Sequence, residues 1–270
     1  MTLSRFVLRW LVMTVASLAA VGCATPRVNP TPVVLVDGAW MGAAAWDKVA
    51  ADLRGRGLRV TAVELPGHGR DTTPAEALSM QAYVDAVIAA LPAEGRAVLV
   101  GHSMAGMVIS GVAERAPDKI AKLVYVAAYL PKDGQSLYQL SQGDADSHVP
   151  RWWRQADPKA YSPAWIDKEG IVDVFCADCS AADQQFLIDT HRPEAIPPLG
   201  TPVQLTPARF GSVPHILVRT LKDNAVSPAL QRQMAGDAGG AARVVELDTS
   251  HAVMLSQPRA LADVIANAAR

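Results

Sequence analysis

Three residues of this chain could cooperate in nucleophilic chemistry. Ser103 lies in Gly101-His102-Ser103-Met104-Ala105-Gly106, Asp223 in Leu221-Lys222-Asp223-Asn224, and His251 in Thr249-Ser250-His251-Ala252. A serine hydroxyl is a weak nucleophile until a base takes its proton, and the base needs an acid to hold its tautomer. Nucleophile, acid, base is one of the chain orders in which such triads occur. Asp248 and Asp133 are rival acids, the first close to His251 in sequence and the second just after an expected strand; Asp223 is preferred to both on order and placement. The oxyanion formed by attack on a carbonyl needs two N–H donors. Met104, directly after the nucleophile, supplies one, and Ala39 in Asp37-Gly38-Ala39-Trp40 is expected to supply the other. Losing one such donor costs about 3–4 kcal/mol of transition-state stabilisation.

Those residues need a scaffold. Apolar, β-branched runs at 33–36, 59–65, 97–100, 123–127, 215–218 and 243–247 read as six strands. Helical periodicity appears at 46–53, 80–91, 105–116 and 259–268. Strands alternating with helices predict one α/β domain over 33–270 with a mostly parallel sheet. Ser103 then falls in a tight strand-to-helix turn, whose neighbours must be small. Gly101 is, and Ala105 followed by Gly106 meets the requirement on the other side. Asp223 and His251 follow strands, at the sheet edge where α/β folds bind ligands. Residues 131–212 hold nine Pro and three Trp and no core-strand run, with a helix expected at 181–191. They read as a helical lid. Trp152, Trp153, Trp165, Phe175 and Phe186 within it either line an acyl or alcohol pocket or form the lid's own core. His102 is expected to border the pocket, and His68 to be structural.

The 25 Lys+Arg against 26 Asp+Glu give a formal net charge of -1. That balance excludes the basic excess of a nucleic-acid binder. Arg5 and Arg9 precede a short apolar run ending Ala20-Val21-Gly22-Cys23. The run is too short to span a bilayer comfortably and fits a signal peptide over 1–22. The small residues before Cys23 resemble a bacterial lipobox, which implies a lipid on Cys23 and export. Ala24 after it implies the outer membrane facing the periplasm, a soluble periplasmic or secreted protein being the alternative. Residues 23–32, with three Pro, then form a linker. Without Arg5 and Arg9 the mature chain has 23 basic and 26 acidic residues, a net of -3. Cys176 and Cys179 form a lone CxxC with no second pair or adjacent His, so no metal is expected; a short-loop disulfide and two packing thiols both fit.

The segments VVLVDGAWMGAAAW (33–46), VTAVELPGHGRD (60–71), VLVGHSMAGMVIS (98–110), KIAKLVYVAAYLP (120–131), DNAVSPALQRQM (223–234) and SHAVMLSQP (250–258) carry a family resemblance. The chain resembles the α/β-hydrolases of the plant methylesterase and hydroxynitrile lyase group and bacterial pyrethroid-hydrolase-like carboxylesterases. The resemblance implies an α/β-hydrolase fold, a cofactor-free serine carboxylesterase and a small-molecule ester substrate. It carries Ser103, Asp223 and His251 as triad, and Ala39 and Met104 as oxyanion donors. These relatives usually have His where Asp37 stands. A carboxylate near an oxyanion opposes it, so Asp37 must point away, be tied by backbone donors or be partly protonated. A structural role in the loop is expected. The Thr and Lys that the resemblance gives the lyases are replaced here by Gly38 and Ala252, which argues against cyanohydrin cleavage and for ester hydrolysis. Lactone hydrolysis, perhydrolysis and a binding-only role use the same fold and are the alternatives.

Overall fold

Continuous apolar runs suit strands covered on both faces, and Val33–Val36 (β1) is buried at all four positions. The computed structural model of the protein describes residues 30–158, 162–238 and 242–270. The remaining strands are β2 (Val60–Val63), β3 (Ala97–His102), β4 (Ile120–Val126), β5 (Trp153–Gln155), β6 (Ala164–Ile166), β7 (His215–Thr220) and β8 (Arg243–Leu247). Six of them form one parallel sheet in the order β2-β1-β3-β4-β7-β8. All six expected strands are present. β3 runs two residues further than its apolar run, because Gly101 and His102 continue the pairing with β4, and so ends directly at Ser103.

The helices are α1 (Asp47–Gly55), α2 (Met80–Ala90), α3 (Ala105–Arg115), α4 (Leu137–Ser141), α5 (Val149–Trp152), α6 (Ile171–Phe175), α7 (Ala181–Thr190), α8 (Ile196–Gly200), α9 (Pro228–Asp237), α10 (Val253–Ser256) and α11 (Pro258–Ala268). The periodicity predicts α1, α2, α3, α7 and α11. It misses α9, which starts where the Ser227 hydroxyl accepts the Leu230 N–H and Pro228 takes the first helical position. The insertion after β4 holds α4 to α8. It is not wholly helical, as the sequence predicts, because β5 and β6 pair antiparallel within it. Three-residue strands are too short for periodicity to register.

A buried polar chain ties the insertion to the sheet. Asp37, just after β1, has its Oδ2 2.8 Å from His68 Nδ1. His68 Nε2 lies 3.0 Å from Glu194 Oε2 in the insertion. Glu194 also accepts the Tyr83 hydroxyl of α2 at 2.9 Å and the Trp40 N–H at 3.3 Å. Trp40, at φ 64°, donates its indole N–H to the Ala164 carbonyl and accepts the Arg192 N–H. His68 therefore faces a carboxylate on each ring nitrogen. Burial alone would lower its pKa, but Glu194 and Asp37 outweigh it and hold the imidazole well above its ordinary value. Burial pushes the Asp37 carboxyl up, against the pull of His68. Asp37 is thus held by the His68 imidazole together with a backbone donor, and its charge is matched inside the fold.

A Cβ on Gly106 would lie 1.9 Å from the Tyr129 carbonyl oxygen. Gly106→Ala should therefore cost about 1–3 kcal/mol, read as a lower urea midpoint; an unchanged midpoint would contradict the close approach. Native His68 keeps its proton above the ordinary imidazole value of 6.5, where the unfolded chain loses it. Its stabilisation is complete below that pH and is lost as pH rises through the native value. His68→Gln should flatten the fall of unfolding free energy above that pH; identical slopes in the two proteins would contradict the ion chain.

Candidate active site

Ser103 sits between β3 and α3 with φ 55°, a conformation that costs a non-glycine residue about 1–3 kcal/mol. Hydrogen bonds on both sides hold it there. Its N–H donates to the Val126 carbonyl, and its own carbonyl accepts from Gly106 and Tyr129. Gly38 approaches so closely that a Cβ there would lie 2.7 Å from the Ser103 Cβ. With these neighbours in place, a side chain at position 38 would force Ser103 or His102 to shift. Ser103 is only 7% exposed and His251 is fully buried, so the site is nearly closed to solvent.

His251 follows β8, and its Nδ1 lies 2.8 Å from Asp223 Oδ2. Asp223 is saturated with donors besides His251: the Thr220 hydroxyl and Gln231 Nε2 meet Oδ2, and the Ala225 and Val226 amides meet Oδ1. The other two acids are engaged elsewhere. Asp248 pairs with Lys222 at the surface, and Asp133 accepts the Leu205 N–H. The buried His251 Nε2 has no hydrogen-bond partner among the described residues, so the bond to Ser103 is not made in this structure. Such bonds commonly tighten only when substrate is present.

His102 packs against His251. It is fully buried, its ring 4.5 Å from that of His251, and its Nε2 donates to the His251 carbonyl at 3.1 Å. Burial, reinforced by the nearby His251, drives its pKa well below the ordinary value. A neutral ring donating from Nε2 must leave Nδ1 as an acceptor, and that atom faces Gly38 without a partner among the described residues. Sequence reasoning passed over this role because the residue before the nucleophile has no spacing relation to position 251.

Met104 follows Ser103 directly, and Ala39 follows Gly38, which packs against Ser103. Among the described residues no acceptor takes either N–H. Met104 also caps the N-terminus of α3, where the helix dipole favours negative charge.

The neighbouring wall is aromatic. Phe175 packs 5.8 Å from the His251 ring and 5.7 Å from Trp40, and Trp153 meets Trp40 edge-on at 5.9 Å. His191 stacks on Trp40 and accepts the Ile166 N–H through Nε2; burial lowers its pKa to about 4. Trp152 instead donates to Asp173, Trp165 is half-buried in β6, and Phe186 packs on the core.

Cys176 and Cys179 are joined by a disulfide. Among the described residues no group of three or more His, Cys, Asp or Glu could hold a metal ion. No helix among them is long and apolar enough to cross a membrane. Cys23 and residues 1–22 lie outside the described residues.

The sequence model of the alpha/beta hydrolase family matches residues 33–264. A pyrethroid hydrolase of Sphingobium wenxiniae is 30% identical over 248 residues, covering 88% of this chain and 87% of its own. Methylesterase 2 of Arabidopsis thaliana is 30% identical over 247 residues, covering 85% and 92%. Among solved structures, a pyrethroid hydrolase from Sphingobium faniae superposes with a TM-score of 0.80 at 30% identity, covering 88% of this chain and 97% of that one. With the family model matched over nearly the whole described domain, the chain belongs to the alpha/beta hydrolase family.

Proposed function

We propose that the protein hydrolyses uncharged carboxylic esters through an acyl-enzyme. The observation that carries this reading is the His251–Asp223 contact at 2.8 Å beside a serine held at φ 55°. Ser103 Oγ attacks the ester carbonyl while His251 Nε2 takes its proton. Asp223 holds the proton on Nδ1, which leaves Nε2 as the base, and stabilises the imidazolium that forms. The Ala39 and Met104 amides receive the developing oxyanion. The imidazolium then protonates the leaving alkoxide, and water attacks the acyl-enzyme with His251 again as base. The wall of Trp40, Trp153 and Phe175 supports an apolar group on the substrate. The names of the relatives, a pyrethroid hydrolase and methylesterases, agree with that class.

The same reading includes export. The Arg5, Arg9 and apolar segment ahead of Cys23 support a cleaved signal and a lipid on Cys23, with the domain facing the periplasm from the outer membrane. Two or more acyl chains would anchor it stably.

Ser103→Ala should abolish hydrolysis of p-nitrophenyl acetate with the thermal unfolding profile retained; residual turnover near wild type would contradict the assignment. Asp223→Asn should lower kcat on the order of 10⁴-fold, whereas a loss under tenfold would point to another acid. For the anchor, expressing Cys23→Ser should move the protein from the membrane to the soluble fraction and abolish labelling by radioactive palmitate. Unchanged membrane association would contradict lipidation.

A further inference from the structure

The loop that carries His251 is held by a turn of the insertion. α6 ends at Phe175 and α7 is capped by Ser180. Between them, Cys176 and Cys179 close the chain into a disulfide ring that contains Asp178. Gln184 of α7 reinforces the ring by donating to the carbonyls of both cysteines. Asp178 is a surface residue, yet its carboxylate is fully engaged with the two residues ahead of His251. Oδ2 accepts the Thr249 hydroxyl at 2.7 Å and the Ser250 N–H at 3.0 Å, and Oδ1 accepts the Ser250 hydroxyl. On the far side of His251, the Ala252 N–H donates to the Phe175 carbonyl at 2.7 Å. Phe175, next to Cys176, and Asp178, next to Cys179, thus grip the backbone after and before His251. The His251 side chain is fixed separately by Asp223, and its carbonyl by His102.

We propose that Asp178 is a positioning residue for the base His251, and that the Cys176–Cys179 disulfide keeps Asp178 and the Phe175 carbonyl in the register that this requires. The inference rests on His251 being the base. Nothing in the ring reaches the ester: it acts by holding the imidazole where Nε2 meets the serine proton. Loss of such placement lowers the rate of the chemical step more than the affinity for substrate, because misplacement of about 1 Å can cost 10²-fold. Three acceptor contacts to neutral donors call for oxygen atoms rather than for a charge. An asparagine, whose carbonyl can take the Oδ2 position while the Ser250 hydroxyl rotates to accept from its NH₂, should therefore keep most of the grip.

The test compares the full chain with Asp178→Ala, Asp178→Asn, the double variant Cys176→Ser/Cys179→Ser, and His251→Ala, using p-nitrophenyl acetate. Asp178→Ala should lower kcat on the order of 10–100-fold with KM within twofold. It should also broaden the low-field proton resonance of the His251 Nδ1–H. Asp178→Asn should recover kcat to within about threefold of wild type. The double cysteine variant should resemble Asp178→Ala although its carboxylate is intact. The proposal is overturned if Asp178→Ala keeps wild-type kcat and an unbroadened resonance, if the loss falls on KM, or if Asp178→Asn is as impaired as Asp178→Ala. Wild-type kcat in the cysteine variant would remove the disulfide from the account; should that variant not fold, the two Asp178 variants decide alone. Activity retained in His251→Ala would overturn both this proposal and the assignment of the base beneath it.

Discussion

Ser103 has to hold a backbone conformation that serine resists. At φ 55° it points its side chain out of the sharp turn between β3 and α3, and the surrounding structure is arranged around that one residue. β4 supplies the Val126 carbonyl for its N–H, and the loop beyond β4 returns the Tyr129 N–H to its carbonyl. Gly38 must lack a side chain so that the loop after β1 can close over the serine. Gly106 must lack one so that the Tyr129 carbonyl can approach α3. Strain of this kind persists only when neighbouring contacts over-determine it. Here the central strands do so, in the most deeply buried part of the sheet.

The second constraint is electrostatic. The loop that offers the Ala39 amide carries a buried carboxylate two residues earlier, which would oppose an oxyanion if left unmatched. His68 neutralises it, and Glu194 on the other side of the imidazole connects that pair to the insertion. Breaking a buried ionic network by removing one member is far more destabilising than its net contribution implies. The insertion's segment from Ala164 to Glu194 is consequently part of the wall of the site, joined to Trp40 by three hydrogen bonds. It is less a separate cover than the sequence predicts.

Much of this arrangement was legible in the sequence because it is local. β-branched runs mark the six core strands. The Gly-x-Ser-x-small turn marks Ser103, but Asp133, Asp223 and Asp248 all lie between it and His251 in the chain, and it is the contact with His251 that singles out Asp223. What stayed hidden depends on contacts between distant segments. Asp37 and His68 are 31 residues apart, and Asp178 and Ser250 are 72 apart. No periodicity links such pairs. His102 was visible as a residue type, but its grip on the His251 carbonyl exists only once β3 and the loop after β8 lie side by side. The lone CxxC left a disulfide and free thiols equally open, and only the approach of α6 to α7 decides for the disulfide.

The proposed chemistry requires Ser103 to be a nucleophile activated by His251. The direct measurement is mass spectrometry of the intact protein and its peptides after exposure to a fluorophosphonate, which reacts covalently with an activated serine. A single adduct on the peptide holding Ser103, absent in Ser103→Ala and strongly slowed in His251→Ala, is the predicted result. An unlabelled protein, or an adduct on another serine that persists in Ser103→Ala, would contradict it.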